Sequence, residues 1–289
     1  MQAGANAQLA RATGSPFAAT ALQLSVGAIL LLVVAFATGT VAASLAALPR
    51  VEWWHAAGGT ASAFYVVSTV LLFPRLGAVV SVGLFIVGRM LASLALDAFG
   101  ILGVAETGLR TSAVLGTLVV LAGAALIVLG QSGGKGDFSR SMFGWTALAL
   151  FAGAVLPVQG AVNALLRQDL GGAPFAVGAV SFIVATFAMS AALLAALAWP
   201  GTPRPNLGGV PAMPWWGWLG GFAGAIYVTT VFTAIPAIGA AATVGLTVAG
   251  QQVASLLVDR YGLLRLPPRE ISRTRLAGVA VLLAGVALV

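Results

Sequence analysis

The sequence has no cysteine, one histidine (His55) and one lysine (Lys135), and only 21 of its 289 residues are charged, 14 basic and 7 acidic. Each shortage excludes something. Without cysteine there is neither a disulfide framework nor thiol chemistry. One histidine is too few for a metal-ligand cluster, and no Gly-x-x-x-x-Gly-Lys-[Ser/Thr] phosphate cradle is present, which leaves ATP-driven transport without residues. Charged residues are 7% of the chain, against roughly 25% in a soluble domain, too few to cover a surface facing water. No polar stretch is long enough to form a separate catalytic domain. No carboxylate falls in the middle of an apolar span, which weakens proton-coupled cation antiport through a buried Glu, and a membrane enzyme would lack acids and bases gathered at one depth. The expected protein is no enzyme, binds no metal and uses no cofactor.

What is present in quantity is apolar. Hydrophobic residues are 60% of the chain and glycines number 37, about 210 positions together, close to the roughly 200 that ten spans of about 20 residues would use. Apolar segments fall at 17–45, 53–73, 78–97, 112–130, 143–165, 174–199, 215–234, 238–258 and 276–289, and residues 1–10 form a tenth, short stub. All seven tryptophans (53, 54, 145, 199, 215, 216 and 218) lie at span ends, as an interfacial belt requires. No charged leader with a short apolar run precedes the first span, so no cleavable signal is expected. Arginine in place of lysine, with abundant Ala, Gly, Val and Leu, suggests a GC-rich bacterial genome. The arginines sit between spans and form no single basic face, which argues against nucleic-acid binding.

The chain repeats itself. The 26 residues from Trp53, WWHAAGGTASAFYVVSTVLLFPRLGA, match WWGWLGGFAGAIYVTTVFTAIPAIGA from Trp215 without a gap at an offset of 162. The register continues through Gly88 on Gly250, Ser93 on Ser255, Asp97 on Asp259, Gly116 on Gly278 and Gly123 on Gly285. Upstream the offset is 158 at Ser15-Pro16-Phe17 on Ala173-Pro174-Phe175, and 157 where Gln2 and Asn6 fall on Gln159 and Asn163. The expected organisation is therefore a duplicated five-helix unit: a first repeat at 1–130, a linker at 131–141 and a second repeat at 142–289. An odd number of helices per repeat makes the second copy enter the membrane from the opposite side. Basic residues agree: ten lie in loops assigned to one face, against Arg50, Arg110 and Arg167 on the other. Linker 131–141 and loop 259–275 are then cytoplasmic and both termini outside. In the second copy, the 14 residues from Gly144 to Pro157 precede the positions matching Met1 onward, so the first helix is truncated by this alignment. We expect the native chain to start upstream, because a half-helix would expose Gln2 and Asn6 to lipid.

These blocks, Gln-x-x-x-Asn, Trp-Trp-x-x-x-Gly-Gly with its Tyr-Val and Pro, and Gly-Gln-x-x-x-Ser-x-x-x-Asp from Gly250 to Asp259, resemble the YdcZ-like, EamA-related branch of the drug/metabolite transporter superfamily. The resemblance is to the fused form, in which two five-helix halves lie antiparallel in one chain, and it covers essentially the whole sequence. It implies an all-α polytopic protein of the inner membrane, a ten-helix bundle of two inverted repeats. It further implies a secondary transporter of a small metabolite or drug-like solute working by alternating access. One departure stands out: where the second copy has Gly250-Gln251, the first has Gly88-Arg89.

Several polar positions are candidates for the solute path. Arg89 lies about 11 residues, or about 16 Å, into its span, near the bilayer midplane. A charge there is costly, so Arg89 either lines a polar cavity or bonds to neighbouring helices, and an anionic solute group is one partner it could take. Gln2/Asn6 and Gln159/Asn163 sit four apart, on one helical face, and offer a ligand donors and acceptors or each other interhelical bonds. Pro157, beside Gln159, could open the backbone. Gln251 answers Arg89 across the repeat, and Tyr65 and Tyr227 lie too deep for the interfacial belt. Asp97 and Asp259 end their spans, as gate or interface residues, at a helix terminus where a carboxylate opposes the dipole. Gly58-Gly59 and Gly220-Gly221 read as close helix contacts, and His55 as a solvated loop residue. Expected partners are a small-molecule substrate and the bilayer; monomer and homodimer both remain open. The alternative reading is a structural or accessory membrane subunit without transport of its own.

Overall fold

The computed structural model describes residues 2–76, 78–106, 108–131, 142–262 and 271–289. Among these the secondary structure is helical throughout. The first half of the chain forms α1 (Gln2–Thr13), α2 (Pro16–Ala37), α3 (Val41–Ala47), α4 (Trp53–Ala56), α5 (Thr60–Leu76), α6 (Ala78–Phe99) and α7 (Thr111–Gln131). The second forms α8 (Met142–Asp169), α9 (Pro174–Leu197), α10 (Leu219–Ile238), α11 (Ala240–Tyr261) and α12 (Arg273–Leu288). Six of these helical segments are long and apolar enough to cross a membrane: Pro16–Ala37, Val80–Phe99, Phe143–Asp169, Pro174–Leu197, Trp215–Ile238 and Ala240–Leu257. In a bilayer each backbone N–H and C=O must find its partner within the protein, which apolar helices achieve residue by residue.

Local sequence sets the boundaries. Ser15 caps α2 by accepting the Ala18 amide at 3.3 Å, and Pro16, whose missing N–H costs nothing in the first turn, opens the helix. The apolar run expected as one span over 17–45 is divided: Gly39 adopts φ +68, the Thr40 amide returns to Ala35 O at 3.1 Å, and α3 starts afresh. A glycine in the left-handed region closes a helix because a side chain there would crowd the backbone. Pro157 does the opposite of what the sequence suggested. The helix α8 runs its full 28 residues through it, so the proline removes one amide without unwinding the turn. Both Trp-Trp blocks open irregularly, with a 3-10 turn at Ala57–Gly59 before α5 and another at Trp215–Trp218 before α10.

The chain divides into two compact units, Met1–Val67 with Val162–Thr233 and Ser68–Ala161 with Ala234–Val289. In the first, α2 packs on α9 around Leu24, Leu31, Phe182 and Met189, with Ala63 and Ala225 completing the core. A second cluster joins Leu166, Leu170, Val177 and Phe232. The α2–α9 contact is antiparallel, since Gly27 meets Phe182 while Gly178, earlier in α9, meets Leu31, later in α2. At the end of α1, Thr13 O accepts the Asn206 amide at 2.9 Å.

In the second unit, among the described residues, α7 and α12 form the most extensive helix pair. A Cβ added at Gly116 would lie 2.8 Å from Gly285 O, and one added at Gly278 would lie 2.8 Å from Gly123 O. These four glycines are two repeat-matched pairs, and they meet crosswise: later residues of α7 face earlier residues of α12, so the helices run antiparallel. Lipid offers no hydrophobic drive for one helix to seek another, and close backbone approach supplies van der Waals contact instead. Ile86, Met90, Val120, Val248 and Leu282 fill the adjoining core.

Candidate functional site

In the second unit, Arg89 stands near the middle of α6 and is 7% exposed. Its Nη1 donates to Gln251 Oε1 of α11 at 3.2 Å. The two positions are 162 residues apart, the offset of the repeat, so each is the other's counterpart. Gln251 is exposed, while its neighbour Gln252 is buried. One turn past Arg89, Ser93 is buried and turns its hydroxyl back to Met90 O at 2.9 Å. Gln159 is 4% exposed on α8.

Asp97, 8% exposed in the last turn of α6, accepts the amides of Ala240 and Ala241 at 2.7 Å each, one on each carboxylate oxygen. Those amides open α11. The dipole of α6 opposes this carboxylate, but the amino terminus of α11 welcomes it, so the expected penalty is offset by a second helix. Gly239, at φ +86, lets the backbone turn beneath the carboxylate; a Cβ there would sit 3.3 Å from both oxygens. The side chain of Asp259, its counterpart, lies outside the described residues.

Two further arginines of this unit have partners that the sequence did not single out. Arg275, counted as a loop charge, is 4% exposed at the start of α12 and donates to Ser255 Oγ at 2.9 Å. Arg75 lies over the Trp145 ring, 4.2 Å from its centroid.

In the first unit, Asn163 is fully buried on α8 and donates from Nδ2 to Ser181 Oγ of α9 at 3.1 Å. Its Oδ1 faces Gly58, where an added Cβ would approach to 2.6 Å. Gln23, which the sequence did not single out, repeats the arrangement. It is 2% exposed, donates to Gly217 O at 2.7 Å, and turns its Oε1 to Gly220, again with 2.6 Å to an added Cβ. Neither amide oxygen accepts a hydrogen bond among the described residues. Gly58 and Gly220 are repeat counterparts. So are the second glycines of each pair: Gly59 has no room for a Cβ beside Ser181 O, and an added Cβ at Gly221 would lie 2.6 Å from Gln23 O. The close-contact reading of the glycine pairs is what the packing exhibits.

His55 is not a solvated loop residue. It is 8% exposed on α4, its Nδ1 bonds to the Asp169 carboxylate at the end of α8, and Trp54 stands edge-on to its ring. Tyr65 and Tyr227 are half-buried on α5 and α10. The side chains of Gln2 and Asn6, like residues 132–141 of the linker and 263–270 of the loop, lie outside the described residues.

Within the second unit a buried guanidinium is bonded to a carboxamide, and within the first a buried carboxamide is bonded to a hydroxyl. A family model described as "Putative inner membrane exporter, YdcZ" matches residues 1–126 and 144–288. The chain belongs to this family. That description names export across the inner membrane and no enzyme, and it matches the YdcZ-like branch that the paired blocks of the sequence resemble. A solved structure described only as "Crystal structure of protein" is similar over 99% of this chain and 94% of that one, with a TM-score of 0.69 and 19% identity. At that identity the likeness speaks for the fold alone. No curated protein matches the chain.

Proposed function

We propose that this YdcZ-family protein is a secondary transporter that exports a small solute by alternating access. In this reading two inverted five-helix repeats, 1–130 and 142–289, exchange conformations, each taking the packing of the other. The observation that carries it is the bond between Arg89 and Gln251. Counterpart residues of two copies touch only where the operation relating the copies leaves a point in place, so a bonded counterpart pair supports an axis relating the repeats. The antiparallel meeting of α2 with α9 and of α7 with α12 supports the same relation, because inversion makes matched helices run in opposite directions. The linker 131–141 and the loop 259–275 face the cytoplasm, as their basic residues favour. Arg89, Gln251, Gln159, Asn163 and the two tyrosines contribute the polar path, with Gln2 and Asn6 on the first helix.

The test is flux. Purified protein in liposomes loaded with a panel of metabolites should release at least one solute, and Arg89→Ala should cut that release at least tenfold while the thermal midpoint in detergent stays near the wild-type value. A chain that moves no solute across a broad panel is the accessory subunit, and the transport reading fails.

A further inference from the structure

We infer that His55 and Asp169 form a latch that fastens one end of the first unit, and that the equivalent end carries no such latch; its part in transport rests on the alternating-access reading above. The repeat makes the two ends comparable. In the register that places Gln2 on Gln159, Leu9 falls on Leu166, Ala12 on Asp169, Thr13 on Leu170 and Gly14 on Gly171, so α1 and α8 finish in the same pattern. In the register of the Trp-Trp blocks, Gly217 is the counterpart of His55. Both helix ends and both blocks belong to the first unit.

Each helix end is covered by the segment that leads into a Trp-Trp block. Leu166 and Leu170 of α8 are buried with Val177 and Phe232, and Ala47 and Val51 pack against them. Leu9 and Thr13 of α1 are buried as well; Asn206 donates its amide to Thr13 O at 2.9 Å, and a Cβ added at Gly209 would lie 2.6 Å from Ala12 O. The covers correspond and the fastenings differ. At the end of α8, His55 Nδ1 is bonded to the Asp169 carboxylate. At the end of α1 the matching positions hold alanine and glycine, which have no polar side chain, and backbone groups make the contact. A hydrogen bond to an ionised group is stronger than one between neutral groups, and a partner left buried alone is penalised. The His55 side chain is only 10% exposed, so water cannot replace the carboxylate until the cover moves. Opening the end of α8 therefore has to part a side-chain bond, and opening the end of α1 does not. In a cycle in which each repeat takes the packing of the other, the two ends open in turn, and the latch governs one of them.

The sequence has no cysteine, so a single thiol can report on each end. Leu166→Cys and Leu9→Cys, at counterpart positions that are fully buried, are reacted with a water-soluble maleimide in detergent, alone and combined with Asp169→Ala. The expected result is labelling of Leu166→Cys that rises roughly fivefold or more on adding Asp169→Ala, with labelling of Leu9→Cys changed less than about twofold. If Asp169→Ala does not fold, His55→Gln takes its place. Labelling of Leu166→Cys that the added substitution leaves unchanged, or an equal rise at both ends, overturns the latch. Flux in liposomes reads the transport part. With His55→Cys and Asp169→Cys bridged by a bis-methanethiosulfonate, export should stop and return on reduction; export undiminished by the bridge overturns gating at this end. Labelling as expected in a protein that moves no solute sinks the export reading and leaves the latch standing. Normal export with unchanged labelling does the reverse.

Discussion

Arg89 donates a hydrogen bond to Gln251, the residue that occupies its own place in the other copy of the repeat. If the repeat operation relates the two positions, exchanging the residues keeps the same two side chains in contact. The double substitution Arg89→Gln with Gln251→Arg should therefore keep the pair and the thermal midpoint close to the wild type. Gln251→Arg alone brings two guanidinium groups together and should destabilise by about 1–3 kcal/mol, as a buried polar group deprived of its partner does. Thermal unfolding of the three variants in detergent checks this. A double variant no more stable than the worse single one would show that the positions are not interchangeable.

Matched glycines should differ in tolerance where their surroundings differ. Gly88 has no room for a Cβ beside Leu150 O, whereas Gly250, its counterpart, has nothing within 4 Å. Gly88→Ala should destabilise by about 1–3 kcal/mol through forced helix separation. Gly250→Ala should be neutral or stabilise by roughly 0.5–1 kcal/mol, since alanine restricts the unfolded chain. Unfolding midpoints that rank the two the other way would contradict the packing of α6 on α8.

The carboxylate of Asp97 serves α11 as a cap borrowed from another helix. Asp97→Ala should cost about 1–2 kcal/mol, the usual loss on removing a cap, and Asp97→Asn less, because one carbonyl oxygen remains to accept an amide. Gly239→Ala should cost about 1–2 kcal/mol by forcing a side chain into a left-handed backbone. Hydrogen exchange at the amides of Ala240 and Ala241 would report the loss directly; unchanged protection in Asp97→Ala would rule out the cap.

Introduced cysteines can test orientation, because the chain has none of its own. In the orientation favoured by the basic residues, a cysteine at Tyr261 should be shielded from a membrane-impermeant maleimide added to intact cells, and one at Leu109 should be labelled. The opposite pattern would invert the topology.

Much of this architecture was legible in the sequence because duplication writes each packing contact twice. The glycines of α7 and α12, the paired Gly-Gly elbows and the Arg89–Gln251 match all stand out at one offset. What was not legible lacks a counterpart of the same type. His55 corresponds to Gly217, so no repetition draws attention to its bond with Asp169, 114 residues away. Gln23 corresponds to Ser181, and the carboxamide that Gln23 brings to Gly220 by itself is brought to Gly58 by Asn163 leaning on Ser181. The same need is met by different residues, which residue matching does not detect. Asp97 stood out in the sequence, but its bonds did not, because its partners are backbone amides, which every residue but proline carries. The break at Gly39 was hidden inside an apolar run whose composition never changes.

The seam between α7 and α12 also imposes an order on biogenesis. The residues it joins, Gly116 with Gly285 and Gly123 with Gly278, are separated by 169 and 155 positions of chain. At a synthesis rate of roughly 5–20 residues per second, α7 resides in the bilayer for roughly 8–30 s before α12 is made. During that interval its glycine face has no mate. A nascent chain halted before Arg273 leaves that glycine face without the helix that covers it.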